Sequence, residues 1–204
     1  MSRRVLAIDT TSEYGSMALV DGDGVVEEIV LHAPEGHAQM LHVEIEKLLR
    51  RNGWPLDSID LFAGASGPGT FTGVRVGLAA MQGLAHAIGK TAVGVSNLRA
   101  IASFGTSARR AVVIDARRGE IYGGVFDAEL AEIQPEVVTA FEAWKAALPE
   151  DVELLSPEAE AFGARPVSRV LAGAIGRIAQ RYPAPAEANY IRRSDAELQW
   201  KDTR

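Results

Sequence analysis

The sequence predicts an α/β fold made of two similar lobes. Short apolar runs of the kind that form buried strands alternate along the chain with segments of helical period. An apolar run followed by an aspartate and a hairpin occurs twice, at Asp9 and at Asp115, with the two copies about 106 residues apart. Such a duplication predicts one lobe over residues 1–106 and a second over 107–204, which meet at a cleft with both aspartates at equivalent strand ends.

The first lobe is predicted to have the order β-β-β-α-β-α-β-α. Aspartate and glycine at positions 21–24 tolerate the positive φ of a tight hairpin, so the first three strands are expected to be antiparallel. The first helix starts at His37 and stops at Asn52 and Gly53, because glycine suits a C-terminal cap. The predicted strands cover 5–8, 16–20, 25–31, 59–65 and 91–95, and the predicted helices cover 37–52, 71–88 and 98–104.

The second lobe is predicted to open in the same way, with a buried strand that ends in an acid and turns back at residues 117–120. Prolines at 183 and 185 mark a linker, and the charged tail from 191 to 204 has no clear partner. The predicted strands cover 111–115, 121–126, 137–139 and 152–155, and the predicted helices cover 141–147 and 170–182.

The composition restricts the classes of function. With 204 residues, 47% of them hydrophobic, the chain can bury a core without disulfides, and it has no cysteine for a disulfide, a thiol nucleophile or a cysteine-ligated metal. Its net charge of −6 argues against sequence-independent binding to a nucleic-acid backbone by this chain alone. No apolar run has the length of a signal core or a membrane span, so we expect a cytoplasmic protein with no membrane partner.

A glycine-rich segment, SGPGTFTGVR at residues 66–75, lies between a predicted strand and a predicted helix. Gly67 and Gly69 allow close approach of the backbone, and the free N–H groups of a helix start suit an anion. The segment is not a Walker loop, since no Lys-Ser/Thr follows the glycines, and Thr72 stands where a dinucleotide fingerprint has its third glycine. A tight turn whose threonines only cap the helix explains the segment equally well.

Asp9, Thr10 and Thr11 would bring a carboxylate and two hydroxyls from the first strand to the cleft. In a two-lobed ATP-binding fold, a phosphate group or its magnesium ion is bound at this position. The alternative is structural, because these side chains commonly hydrogen-bond to nearby backbone. The candidate cofactor-binding residues are Asp9, Thr10, Thr11, Gly67, Gly69 and Asp115.

The sequence offers no visible arrangement for metal binding or nucleophilic catalysis. None of the four histidines, His32, His37, His42 and His86, has a partner at the i, i+4 spacing that would place both on one helix face. A Gly-x-Ser-x-Gly elbow is also lacking. We therefore expect no metal site and no catalytic residue.

The helix predicted at 71–88 has two different apolar faces. An inward stripe comprises Val74, Leu78, Met81, Ala85 and Ile88. The opposite side, which should hold charges if it faced water, carries the small or apolar residues Val76, Ala79, Ala80, Gly83 and Ala87. On the preceding helix, Met40 and Val43 also lie away from the buried stripe. This candidate partner interface is explained either by burial within the same chain or by contact with a second subunit.

Three segments, AIDTTS at 7–12, SGPGTFTGVRVG at 66–77 and DARRGEIY at 115–122, resemble the TsaB (YeaZ) family of the tRNA threonylcarbamoyladenosine pathway. The resemblance covers the order of elements from 5 to about 122, and EANYIRR at 187–193 is similar to the closing segment of the family. It implies an actin-like ATPase (ASKHA) fold whose two lobes have mixed β-sheets flanked by helices. A length of 204 residues is compact for the family and implies a reduced second lobe.

The resemblance also implies a function. The paralogous transferase TsaD holds a metal with a histidine pair and transfers the threonylcarbamoyl group, whereas the TsaB family is a non-catalytic scaffold that binds and activates TsaD together with the ATPase TsaE. Members form homodimers through first-lobe helices, and the chain is expected neither to bind tRNA directly nor to hold a resident cofactor. Weak or interface-dependent binding of ATP or ADP stays open. The alternative is a metal- or ATP-dependent ASKHA enzyme, either a transferase or a glycoprotease-like peptidase.

Overall fold

Two mixed β-sheets with flanking helices form the lobes of the chain. The computed structural model describes residues 2–34 and 36–191, so the tail at 192–204 lies outside the described residues. The strands are β1 (Arg4–Asp9), β2 (Tyr14–Asp21), β3 (Gly24–His32), β4 (Leu61–Gly67), β5 (Thr91–Ser96), β6 (Arg109–Arg117), β7 (Glu120–Asp127), β8 (Glu132–Ala140), β9 (Glu153–Ser156), β10 (Arg165–Pro166) and β11 (Ala184–Pro185). The helices are α1 (Leu41–Arg51), α2 (Phe71–Ala87), α3 (Asn97–Ala102), α4 (Phe141–Ala146), α5 (Ala159–Phe162) and α6 (Ala172–Arg181).

The first sheet has the order β11-β5-β4-β1-β2-β3, in which β1, β4 and β5 are parallel and β2, β3 and β11 run antiparallel to their neighbours. Its central strands are apolar on both faces because helices cover both. In β1, Leu6 and Ile8 join the core on the side of α1, whereas Val5 and Ala7 join the core that contains α3 and α6. This two-residue alternation explains why β1 has a continuous apolar run.

The second sheet has the order β10-β9-β6-β7-β8, again with an antiparallel hairpin next to parallel strands. One face packs on Trp144 of α4. From the other face, Val112, Phe126 and Leu155 enter the same hydrophobic cluster as α3 and α6. The lobes therefore share one core across their junction.

The C-terminal elements depart from the predicted lobe boundaries. Helix α6 packs on β1, β2, β4 and β5, and a Cβ on Gly176 would lie 2.7 Å from Cγ2 of Val20 in β2. The segment 183–185, expected to be a linker, forms β11 and pairs with β5. Residues 172–185 thus belong to the first lobe, although they follow the second sheet in sequence. A periodic apolar stripe indicates that a helix packs, but it does not identify the sheet that receives it.

Helix α1 begins later than the sequence predicts. Helix α1 begins at Leu41 rather than at His37, whose Nε2 lies 2.8 Å from the carbonyl oxygen of Ser12. Burial of the imidazole against the β1–β2 turn holds residues 37–40 in a turn of their own. Thr70 occupies the N-cap position of α2 without a side-chain capping bond. Among the described residues, no helix is both long and apolar enough to cross a membrane.

Candidate functional site

A cleft of about 750 Å³ lies between the lobes, at the ends of β1, β4 and β6. Four of the six candidate cofactor-binding residues line this cleft, namely Asp9, Thr11, Gly69 and Asp115. The other two, Thr10 and Gly67, lie behind its wall. The hydroxyl of Thr10 donates to the carbonyl oxygen of Gly73 at 2.7 Å and thus ties β1 to α2.

The first-lobe wall is held together by a buried hydrogen-bond network. Oδ1 of Asp9 accepts from the backbone N–H of Thr11 at 2.9 Å and from the Thr11 hydroxyl at 2.6 Å. Asn97 donates to the Thr11 hydroxyl oxygen at 2.8 Å and accepts from the Gly67 N–H at 3.1 Å. The network joins the ends of β1 and β4 to the start of α3, so its first effect is to fix the shape of the wall.

Burial raises the pKa of Asp9, and the hydrogen bonds from Thr11 oppose this shift without cancelling it. The folded protein therefore binds a proton at Asp9 at pH values where the unfolded chain has released it. The contribution of this group to stability is greatest below its ordinary pKa and is lost as the pH rises through the raised pKa.

We therefore expect Asp9→Asn to gain stability relative to the natural protein as the pH rises through this range. The free energy of unfolding should diverge by at most about 1.4 kcal/mol per pH unit, measured by thermal or urea unfolding. Thr11→Val, which keeps the carboxyl and removes its hydroxyl donor, should extend the fall in stability to higher pH. A constant difference between Asp9→Asn and the natural protein at every pH would contradict this expectation.

The glycine-rich segment contacts the β1–β2 turn. The N–H of Thr70 donates to the carbonyl oxygen of Thr11 at 2.7 Å, and a Cβ on Gly69 would lie 2.5 Å from Cβ of Thr11. A Cβ on Gly73 would lie only 2.0 Å from the carbonyl oxygen of Thr10. These two glycines permit close approach by the chain's own backbone. Gly67, which directly precedes Pro68, is required for another reason. Its φ of +99° lies in the region that favours glycine.

The second-lobe wall is formed by the β6–β7 turn and by charged side chains. Asp115 accepts from the backbone N–H of Arg117 at 2.8 Å, and its side chain is 42% exposed. Glu158 forms an ion pair with Arg169 at 3.1 Å. The two aspartates at the strand ends thus differ in environment, because Asp9 is buried in a network and Asp115 faces the cleft.

The C-terminal segment, residues 186–191, closes one side of the cleft, and sequence reasoning did not assign it a site role. The N–H of Asn189 donates to the carbonyl oxygen of Ser66 at 2.7 Å. The ring of Tyr190 stacks on Phe71 with 5.4 Å between centroids, and Arg75 donates to its hydroxyl at 2.8 Å. Segments far apart in sequence therefore build this edge of the cleft.

Glu136 connects both lobes to the C-terminal segment. Its carboxylate accepts from the hydroxyl of Ser96, at the start of α3, and from the amide of Asn189 at 2.6 Å. Burial raises the pKa of Glu136, and the two hydrogen bonds only partly offset this effect. No motif or periodic pattern in the sequence distinguishes this glutamate from the others.

The candidate partner face of α2 divides into two parts. Ala79, Gly83 and Ala87 are exposed, and a Cβ added to Gly83 would meet nothing within 4 Å. Val76 and Ala80 are half-buried against the cluster of α1 and β1 side chains. On and before α1, Val43 is 51% exposed and Met40 is half-buried. The inner edge of the face therefore packs within the chain, whereas its centre is open.

The histidines take up separate positions. His32 stacks on Tyr14 with ring centroids 4.7 Å apart, whereas His37 is buried beside the β1–β2 turn. In the part of the chain that the structure describes, no group of three or more histidine, aspartate or glutamate side chains could hold a metal ion.

The chain is similar to several proteins that are named for tRNA threonylcarbamoyladenosine formation. Residues 14–165 match the family described as TsaD, tRNA N6-adenosine threonylcarbamoyltransferase. The tRNA threonylcarbamoyladenosine biosynthesis protein TsaB of Escherichia coli is 36% identical over 66% of this chain, and the match spans 64% of that relative. TsaB of Bacillus subtilis is 26% identical over 96% of this chain and 97% of its own length.

Solved structures of YeaZ proteins have the same fold as this chain. YeaZ from Pseudomonas aeruginosa superposes with a TM-score of 0.75 at 28% identity, covering 92% of this chain and 99% of that one. An activator of 2-hydroxyisocaproyl-CoA dehydratase from Clostridium difficile shares the fold alone, with a TM-score of 0.54 at 9% identity over 98% of each chain. The prediction of an actin-like ATPase fold is confirmed.

Proposed function

The chain belongs to the TsaB (YeaZ) family, and from this premise we propose that it is a non-catalytic subunit for tRNA N6-threonylcarbamoyladenosine formation. In this role it binds and activates a TsaD-type transferase, and a TsaE-type ATPase joins the resulting complex. Alone, the chain forms a homodimer through the α2 face of the first lobe, which is also the surface that binds the transferase. The names of the relatives support the pathway, and the surface of α2 supports the scaffold role.

The observation that carries the proposal is the open centre of the α2 face. Ala79, Gly83 and Ala87 lie on one side of the helix and expose small side chains where a solvated helix normally presents charges. Small residues let the backbone of a second helix approach closely. Val43 of α1 is also apolar and exposed, and we include it in the proposed surface. A surface of this kind suits a partner with its own apolar helix face.

The contacts of the first-lobe wall favour a scaffold over an enzyme. Oδ1 of Asp9 is bound to Thr11, and the glycines at 69 and 73 accommodate the chain's own turn. These residues are used to hold a rigid wall. Activation then comes from the effect of the docked subunit on the transferase rather than from a reaction in this cleft.

Reconstitution with the TsaD- and TsaE-type proteins of the same organism tests the proposal. We expect the chain to co-elute with the transferase in size-exclusion chromatography. Threonylcarbamoylation of tRNA should require the chain, and the chain alone should show neither that activity nor ATP hydrolysis. Full transferase activity without the chain would refute the scaffold role. ATP turnover by the isolated chain that is lost in Asp9→Ala would instead support the alternative of an ASKHA-type enzyme.

A further inference from the structure

A second cavity, of about 640 Å³, lies between the lobes at the end remote from the cleft. Strand β6 and helix α6 each run from the cleft to this second cavity. Leu171, just before α6, lines the cleft, whereas Tyr182, just after it, lines the second cavity. The volume falls in the range usual for small-molecule sites, and the walls belong to both lobes.

Three guanidinium groups line this cavity, those of Arg110, Arg177 and Arg181. Arg110 in β6 is held by two backbone carbonyls, with Nε donating to Ser107 at 2.9 Å and Nη1 to Ala102 at 3.2 Å. Neither partner carries a negative charge. The position of Arg110 is thus fixed while its charge is left without a carboxylate.

The two arginines of α6 are four residues apart and therefore share one face of the helix. Arg181 forms an exposed ion pair with Asp23 at 2.7 Å. Arg177 makes no hydrogen bond or ion pair with any residue that the structure describes. Glu129 is the other acid of the lining, and its carboxylate is not paired with any of the three arginines. Two of the three cationic groups, Arg110 and Arg177, are consequently uncompensated, in a chain whose net charge is −6.

We propose that this cavity binds a small phosphate-bearing anion of the diphosphate type, held between Arg110 of the second lobe and Arg177 of the first. Guanidinium groups bind phosphate oxygens in a bidentate manner, and a multiply charged anion can engage two of them at once. Because its ligands come from both lobes, the bound anion would fix the lobes relative to each other. The site is separate from the cleft and from the α2 face, and it does not depend on the proposed function.

Isothermal titration of the full chain with sodium pyrophosphate, in the presence of a chelator, tests the site directly. We expect saturable binding of one anion and at least a tenfold loss of affinity in Arg177→Ala. Arg177→Lys, which keeps the charge and loses the bidentate geometry, should lose less. The matched control is Arg169→Ala, which removes a cleft arginine and should bind pyrophosphate as the natural chain does.

The same variants distinguish a free anion from the phosphates of an RNA backbone. We expect tRNA to show no binding that depends on Arg177. The absence of saturable pyrophosphate binding would overturn the proposal. Loss of binding in Arg169→Ala with no change in Arg177→Ala would do so too, because the anion would then lie in the cleft. Binding of tRNA through Arg177 without binding of pyrophosphate would assign the arginines to RNA and refute the small-anion site.

Discussion

Gly83→Arg is expected to leave the chain folded and to weaken its association with the transferase about a thousandfold. Gly83 lies at the open centre of the α2 face, where an added Cβ meets nothing within 4 Å in the isolated chain. Replacing an exposed helical glycine by arginine removes a helix penalty of almost 1 kcal/mol, so about 2 °C should be added to the melting temperature. In a complex, the charge would be buried unpaired at a cost of about 4 kcal/mol, and each 1.4 kcal/mol is a factor of ten.

Thermal melting and a binding titration on the same samples measure both effects. The homodimer should dissociate in the same variant, as seen by sedimentation. Ala143→Arg is the matched control, since Ala143 is an exposed residue of α4 in the second lobe and should leave binding unchanged. A Gly83→Arg chain that melts normally and binds the transferase at full strength would remove α2 from the interface. Reconstituted activity of the natural chain would still stand, so the scaffold role and the location of its surface are tested separately.

Much of the fold could be predicted from the sequence because β1, β4 and β6 are covered on both faces. Such strands require continuous apolar runs, and these runs are visible without any knowledge of what covers them. The path of α6 could not be predicted in this way. Its apolar residues fit the first sheet as well as any other, and only three-dimensional contacts such as that of Gly176 with Val20 show which sheet the helix covers.

The parts of the candidate site that depend on short sequence motifs could be predicted. The glycine-rich segment indicated close backbone approach, and the structure identifies the approaching group as the turn at Thr10 and Thr11. Asn97 and Glu136 were not predictable, because each acts through hydrogen bonds to residues distant in sequence. Asn97 bonds to Thr11 across 86 positions, and no periodic pattern records a contact of that kind.

Two glycines of one helix provide the second large effect, since the same substitution should change stability in opposite directions. In Gly83→Ala, the new methyl group enters open space, and we expect the free energy of unfolding to rise by about 0.5–1 kcal/mol. In Gly73→Ala, the methyl carbon would lie 2.0 Å from the carbonyl oxygen of Thr10, well inside contact distance. Helix α2 and the β1–β2 turn would have to separate by more than about 1 Å, although two hydrogen bonds hold them together.

Separation would strain the bond from the Thr10 hydroxyl to Gly73 and the bond from the Thr70 N–H to Thr11. A Cβ at Gly77, one turn further along α2, would also lie 2.5 Å from Oγ1 of Thr10, so the helix has no free space beside the turn. We therefore expect Gly73→Ala to lose about 3 kcal/mol or more, against the gain in Gly83→Ala, as measured by urea unfolding of both variants. Equal stabilisation by the two alanines would mean that the turn does not pack on the helix start. It would also mean that this contact does not hold the cleft wall rigid.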